Sequence, residues 1–247
     1  MNYKIILQKN DKLGESPIWN NYNNKFYWVD IIGKKIKSLD ENNIISIVDT
    51  NKMPCCISLI DNTKLTLALE DEIGIFDIRN NSFNSQLKID GSKVRFNDGK
   101  IDNNNILHIG TMDRLEKDFI GKIYKYQNGH LDILNNNIGI TNGIAFDSNN
   151  KMYYSDSLSG KLYYDNKIIN NYKDEAPDGG YVDINDNYYS SIWGGSRIDI
   201  YNKEHKIIYK INLDVKYPTC CCFGGRDMNK LFITSASILD SSGNNGN

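Results

Sequence analysis

Six short segments of this sequence recur at nearly constant spacing, and that recurrence constrains the fold more than any other feature. Glu15-Ser16-Pro17-Ile18-Trp19-Asn20, Asn97-Asp98-Gly99-Lys100-Ile101-Asp102, Asn142-Gly143-Ile144-Ala145-Phe146-Asp147 and Asp178-Gly179-Gly180-Tyr181-Val182-Asp183 each open on a polar residue and reach Asp or Asn five positions on. A turn and an apolar or aromatic run follow, such as Phe26-Tyr27-Trp28-Val29 or Met152-Tyr153-Tyr154. Segments 56–61 and 219–224 are degenerate copies in the same frame. The opening positions are 15, 56, 97, 142, 178 and 219, spaced by 41, 41, 45, 36 and 41. A period of about 40 residues holding four short strands is the pattern of a propeller blade. Six copies predict an all-β, six-bladed propeller occupying residues 1–247 as one domain.

Helical periodicity is nearly absent; short runs of Ile, Tyr, Phe and Val are broken by Asn, Asp and Gly, as strands are by turns. In the fourth copy the pattern predicts strands over 144–147, 152–156, 161–164 and 168–172. The sixth copy offers only two clear strands, so its blade reads as incomplete. A further strand over residues 3–8 has no blade of its own. It is expected to pair into the last blade and close the ring, which would remove exposed sheet edges.

Composition narrows the partners. Twenty-nine basic residues against 31 acidic ones give a net charge of −2, without blocks of one sign. Such a chain lacks the electrostatic footprint for nucleic acid. No stretch approaches the ~20 apolar residues of a membrane-spanning helix. The N-terminal apolar run is too short for a signal peptide, so a cytoplasmic, soluble single domain is expected. The cysteines fall as a pair (Cys55, Cys56) and a triplet (Cys220, Cys221, Cys222). Neighbours in a strand point to opposite faces, so these read as buried small hydrophobes in a reducing compartment. The three histidines are scattered singly, which argues against histidine chemistry.

In a propeller the innermost strands line a central channel, so equivalent positions of different repeats meet around one axis. The opening residues are Glu15, Cys56, Asn97, Asn142, Asp178 and Thr219. Two carboxylates and two amides thus converge from distant parts of the chain, and burying them unpaired costs several kcal/mol each, on the order of the penalty for any buried charge. The cluster reads either as a site for a divalent ion such as Ca²⁺, Mg²⁺, Mn²⁺ or Zn²⁺, or as a solvated polar funnel.

Gly14-Glu15-Ser16-Pro17, Arg95-Phe96-Asn97-Asp98-Gly99-Lys100, Gly110-Thr111-Met112, Thr141-Asn142-Gly143, Pro177-Asp178-Gly179 and Cys221-Cys222-Phe223-Gly224-Gly225 occur in an order that resembles the SMP-30/gluconolactonase (regucalcin) family. The resemblance runs from about residue 13 to residue 237. It implies a six-bladed propeller that binds one divalent metal in its channel and hydrolyses sugar lactones. By that resemblance Glu15, Asn142 and Asp178 are the metal ligands, and Arg95 and Asn97 contact the substrate. Leu115 stands where some members carry an acidic residue that touches the sugar.

The implied mechanism has the ion polarise the lactone carbonyl while water attacks, with Asp178 as the candidate proton acceptor beside its ligating role. Asp98 reads as a turn residue, Lys100 as a surface charge, and Trp19, Trp28 and Trp193 as packing aromatics. Two other classes stay open: a metal-dependent esterase or phosphotriesterase on the same site, and a non-catalytic metal-binding propeller.

Overall fold

A computed structural model describes residues 4–6 and 11–237. All regular structure in that range is β. The first sheet comprises β1 (Gly14–Asn20), β2 (Lys25–Asp30), β3 (Lys35–Leu39) and β4 (Ile45–Asp49), and the second β5 (Pro54–Leu59), β6 (Lys64–Leu69), β7 (Glu72–Asp77) and β8 (Ser82–Lys88). The third holds β9 (Val94–Ile101), β10 (Leu107–Asp113), β11 (Gly121–Gln127) and β12 (His130–Ile138). The fourth holds β13 (Thr141–Phe146), β14 (Met152–Asp156), β15 (Lys161–Tyr164) and β16 (Lys167–Asn171). β17 (Ala176–Val182), β18 (Tyr188–Trp193), β19 (Arg197–Tyr201) and β20 (Ile207–Asn212) form the fifth. The sixth copy contributes a two-stranded sheet, β21 (Pro218–Gly224) and β22 (Lys230–Ser235). The described residues therefore form a β-propeller with five four-stranded blades and one two-stranded sheet.

Each sheet is an antiparallel meander in sequence order, and β1, β5, β9, β13, β17 and β21 pack against one another around the centre. The two ends of the chain's described part meet there. Leu13 bridges Ala236, Ser237 N–H donates to the Lys12 carbonyl at 3.2 Å, and the Thr219 hydroxyl donates to the Gly14 carbonyl at 2.5 Å. The strand expected over residues 3–8 lies mostly outside the described residues, and Lys4, Ile5 and Ile6 have no strand pairing.

The core is a set of seams between neighbouring sheets. Val29 and Ile36 of the first blade pack on Ile57 and Leu67 of the second. Cys56 and Ile73 meet Phe96 and Ile109, Ile123 and Ile138 meet Ile144 and Tyr154, and Tyr153 and Leu162 meet Tyr188 and Tyr201. Ile198 and Ile211 meet Cys221, and Cys222 meets Phe26 and Trp28. Inner strands covered on both faces read as near-continuous apolar runs, whereas the outermost strands β4, β8, β12 and β20 are largely exposed. Burying one Leu, Ile or Phe contributes about 1.5–3 kcal/mol, so every seam matters to ring integrity. All five cysteines are buried and free.

The turns between first and second strands repeat as well. The carboxylates of Asp102, Asp147 and Asp183 each accept from the backbone N–H groups two and four residues on, at 2.8–2.9 Å. This is the Asx geometry that stabilises tight turns. Half of the non-glycine residues with positive φ are asparagine, eight of sixteen among the described residues; asparagine tolerates that region better than most side chains.

Candidate active site

In four inner strands the register slips at the opening position. Two residues oppose one on the neighbouring strand between Glu15 and Ile18, between Phe96 and Gly99, between Asn142 and Ala145, and between Pro177 and Gly180. A bulge of this type breaks the in-out alternation and re-aims side chains. The observed first strand of the fourth blade accordingly starts at Thr141, three residues before the expected 144, because the opening residue is itself paired ahead of the bulge.

The structure brings the predicted residues together at the bulged end of the channel. Arg95 Nη1 donates to Asn97 Oδ1 at 2.7 Å and to the Phe96 carbonyl at 2.9 Å. Asn97 Nδ2 donates to Asn142 Oδ1 at 2.8 Å and to the Thr141 carbonyl at 3.0 Å. Asn142 Nδ2 donates to Ser157 Oγ at 2.9 Å, and Ser157 Oγ donates to the Pro177 carbonyl, one residue before Asp178, at 2.7 Å. Glu15, Asn97, Asn142 and Asp178 are all buried. Glu15 Oε2 accepts from the N–H of Ser16, whose φ is +51°.

Asp178 feels the charge of Glu15. Burial pushes the Glu15 carboxyl up to about 8, with the Asp98 charge adding to it and the Ser16 N–H, Arg95 and Lys100 opposing. Burial, then the charges of Glu15 and Asp98, hold Asp178 well above the usual carboxylate range. Two buried carboxyls whose charged forms are disfavoured by burial, beside a buried amide oxygen, are a donor set that fits a hard divalent cation. Among the described residues no three His, Cys, Asp or Glu side chains form a metal-binding group; the third oxygen in this set is the Asn142 amide.

Two expectations are corrected. Asp98 is not a plain turn residue: its Oδ2 accepts from Ile144 N–H at 2.9 Å and its Oδ1 from Gly99 N–H at 2.8 Å, joining the third and fourth blades. Lys100 is not a surface charge. It reaches from β9 toward the fifth and sixth blades, with Nζ 5.4 Å from the Tyr181 ring centroid and with Cys220, Cys222 and Asp98 in its electrostatic surroundings. Both residues stand within the Arg-Phe-Asn-Asp-Gly-Lys motif, so the signal was present. Ser157 carries no repeat signature, and nothing in the sequence alone distinguishes it.

Trp28 is buried on Phe26, Trp19 stacks on Phe232 with centroids 5.8 Å apart, and Trp193 lies 4.8 Å from Tyr217. His108 pairs with Asp102 at 3.1 Å and His205 with Tyr153 at 3.2 Å, away from the carboxylates. Leu115 is exposed on the β10–β11 connection, held by Asp113, whose carboxylate accepts from the N–H groups of Leu115, Lys117 and Asp118. Among the described residues no helix is long and apolar enough to cross a membrane.

Comparison with known proteins places the chain in a family. The pattern of the SMP-30/gluconolactonase/LRE-like region matches residues 13–237. YvrE of Bacillus subtilis, named for a sugar lactone lactonase activity, is 30% identical over 246 residues, spanning 91% of this chain and 84% of that protein. Regucalcin of Danio rerio is 26% identical over 255 residues, spanning 95% and 86%. The crystal structure of a calcium-binding regucalcin from Agrobacterium tumefaciens superposes with a TM-score of 0.91 at 21% identity, covering 96% of this chain and 87% of that one. The chain belongs to the SMP-30/gluconolactonase/LRE-like family.

Proposed function

We propose that this protein hydrolyses a sugar lactone at the bulged end of its channel, with a divalent ion held by Glu15, Asn142 and Asp178. Its family and its lactonase relatives indicate a gluconolactonase or lactonase activity. The observation that carries the reading is the buried Glu15–Asp178 pair beside the Arg95–Asn97–Asn142 hydrogen-bond chain. An ion bound there supplies Lewis acidity toward the ring carbonyl and favours ionisation of a nearby water. Arg95 has the planar, permanently charged fork that suits oxygen-rich ligands, and it donates to the lactone oxygens. Asn97, held between Arg95 and Asn142, orients the substrate. Asp178 accepts a proton from the attacking water, and that proton passes to the ring oxygen as the acyl C–O bond breaks, leaving a hydroxy acid. A carboxylate raised toward neutrality by burial is suited to such proton traffic.

The same reading covers the ring's closure. The outer edge of β22, which pairs with no strand among the described residues, borders an apolar cavity of about 530 Å³, lined by Phe26, Trp28 and Leu39 of the first blade, Ile200 and Leu213 of the fifth, and also by Ile5 and Ile6. Ile5 and Ile6 lie against that edge, where the repeat pattern calls for a closing strand of the sixth blade.

Acid release from aldonolactones with added Mn²⁺, Zn²⁺ or Ca²⁺ tests the activity. Ion-dependent hydrolysis supports it. Activity on aryl or phosphotriesters without lactone turnover would favour the esterase class, and ion binding without any turnover a non-catalytic propeller.

A further inference from the structure

Asn142 can serve an ion only through its amide oxygen, yet an amide can present either end. Asn97, whose own amide is set by Arg95, presents its Nδ2 to the oxygen end, and a hydroxyl fixes the other end. Ser157 follows β14, and its backbone is anchored by its own N–H donating to the Ile140 carbonyl at 3.0 Å. Its Oγ lies 2.7 Å from the Pro177 carbonyl and 2.9 Å from Asn142 Nδ2. A carbonyl accepts but cannot donate, so the single hydroxyl proton of Ser157 points to Pro177. The oxygen then has only lone pairs left for Asn142, which must turn its NH₂ toward Ser157 and its Oδ1 toward the channel. Asn97 Nδ2 meets that Oδ1 there at 2.8 Å. The Pro177 carbonyl also accepts from Ser155 Oγ at 3.0 Å, so two hydroxyls of this segment hold it.

We infer that Ser157 is a positioning residue of the ion site: its hydroxyl holds the amide end of Asn142 and ties it to the strand that carries Asp178. It touches neither substrate nor ion, and it acts on two ligands at once because Pro177 immediately precedes Asp178. The inference rests on the ion reading proposed above. Outer-shell partners that orient metal ligands typically govern 10- to 100-fold of metal affinity.

The test is Mn²⁺ titration by calorimetry, with the metal-free melting temperature measured alongside. Ser157→Ala is expected to weaken Mn²⁺ binding by about 10- to 100-fold while the metal-free protein melts close to wild type. Ser157→Thr, which keeps the hydroxyl, is expected to restore affinity. Ser157→Cys keeps the shape but offers a weak donor and acceptor, so it also binds Mn²⁺ less tightly, and it serves if the alanine variant does not fold. Wild-type affinity in the alanine or cysteine variant overturns the inference, as does failure of a folded threonine variant to recover it. Absence of Mn²⁺ binding by the wild-type chain instead overturns the ion reading itself, and the inference with it.

Discussion

Asp98 Oδ2 accepts from the Ile144 N–H at 2.9 Å, so a carboxylate of the third blade holds the bulge from which the fourth blade presents Asn142. Removing that acceptor leaves a backbone amide unsatisfied, a loss of about 1–3 kcal/mol. A second effect opposes it, because Asp98 raises the proton affinity of Glu15 and Asp178 by its charge. At pH 5 Glu15, raised to about 8, is largely protonated and the relief is small. Asp98→Ala should therefore destabilise the metal-free protein most clearly at pH 5 and less at pH 8, read by urea denaturation. Asp98→Asn keeps an acceptor and should lose less at both. Equal stability of the alanine variant at pH 5 would show that the amide finds another partner.

The raised carboxyls make metal-free stability depend on pH with a defined sign. The folded-state value of Glu15 is about 8, above its ordinary 4.5. The folded chain thus holds a proton that the unfolded chain releases, and its contribution is full below about pH 4.5 and lost as pH rises toward 8. The metal-free melting temperature should fall over that window, at about 2–4 °C per kcal/mol for a chain of this size. Glu15→Gln should flatten the slope. Bound Mn²⁺ competes with the proton, so its thermal shift should be larger at pH 8 than at pH 5.5. A wild-type slope no steeper than that of the glutamine variant would contradict this.

Much of this arrangement was legible in the repeat. Each blade must bury both faces of its inner strands against its neighbours, so each copy needs similar length, and the spacing survives where sequence identity does not. The Asp or Asn five positions after the opening residue survives in five of the six copies, and at Asp102, Asp147 and Asp183 it closes the turn between first and second strands. What could not be read was side-chain direction across the bulge. Alternation predicts facing only where register is regular, and a two-for-one slip at Asn97–Asp98 re-aims the side chains beyond it. Asp98 and Lys100 were misplaced for that reason. Ser157 stayed invisible because its role comes from the proximity of Asn142 and Pro177, residues 35 positions apart in sequence that meet only in the folded ring.

Substitution at the channel's charged residues separates chemistry from binding. Asp178→Asn keeps size but cannot accept a proton in the same way, and a general base contributes about 10²–10⁴-fold. Its kcat on a responsive lactone should fall by at least 10²-fold at saturating Mn²⁺. Arg95→Lys keeps the charge but loses the fork, and one charge-assisted hydrogen bond at about 1.5–3 kcal/mol corresponds to roughly 10- to 100-fold in kcat/KM. Full turnover by the Asp178 variant would remove the base role while leaving the ligand role testable by titration.

The apolar cavity at β22 makes a separate prediction about closure. Ile5 and Ile6 line it and are 39% and 43% exposed, so each buries part of its side chain there. Replacing both with Asp should lower stability by about 1–2 kcal/mol, in proportion to the apolar area returned to water. The same change at Ile184, which is fully exposed, should be neutral. If Ile5→Asp/Ile6→Asp melts like the wild type, residues 3–8 do not close the ring at that edge.

Gly143 gives the sharpest test of how the site is built. Its φ is +64°, and a Cβ there would come within 2.5 Å of Tyr188 Oη, 2.9 Å of the Asp178 carbonyl oxygen and 3.1 Å of Ser155 Oγ. The left-handed conformation alone costs a substituted residue about 1–2 kcal/mol. Tyr188 Oη also donates to the Gly143 carbonyl at 3.0 Å, so the hydroxyl both fixes the bulge and blocks any side chain from it. Gly143→Ala should therefore lose about 3 kcal/mol or more, adding overpacking to backbone strain. Because one of the atoms it strikes is the Asp178 main chain, Mn²⁺ affinity should fall with stability. Tyr188→Phe on the Gly143→Ala background removes the closest clash but not the backbone one, so it should recover only part of the melting temperature and little of the affinity. Recovery of both would place the strain on the Tyr188 hydroxyl alone, and the bulge would then owe nothing to the Asp178 carbonyl.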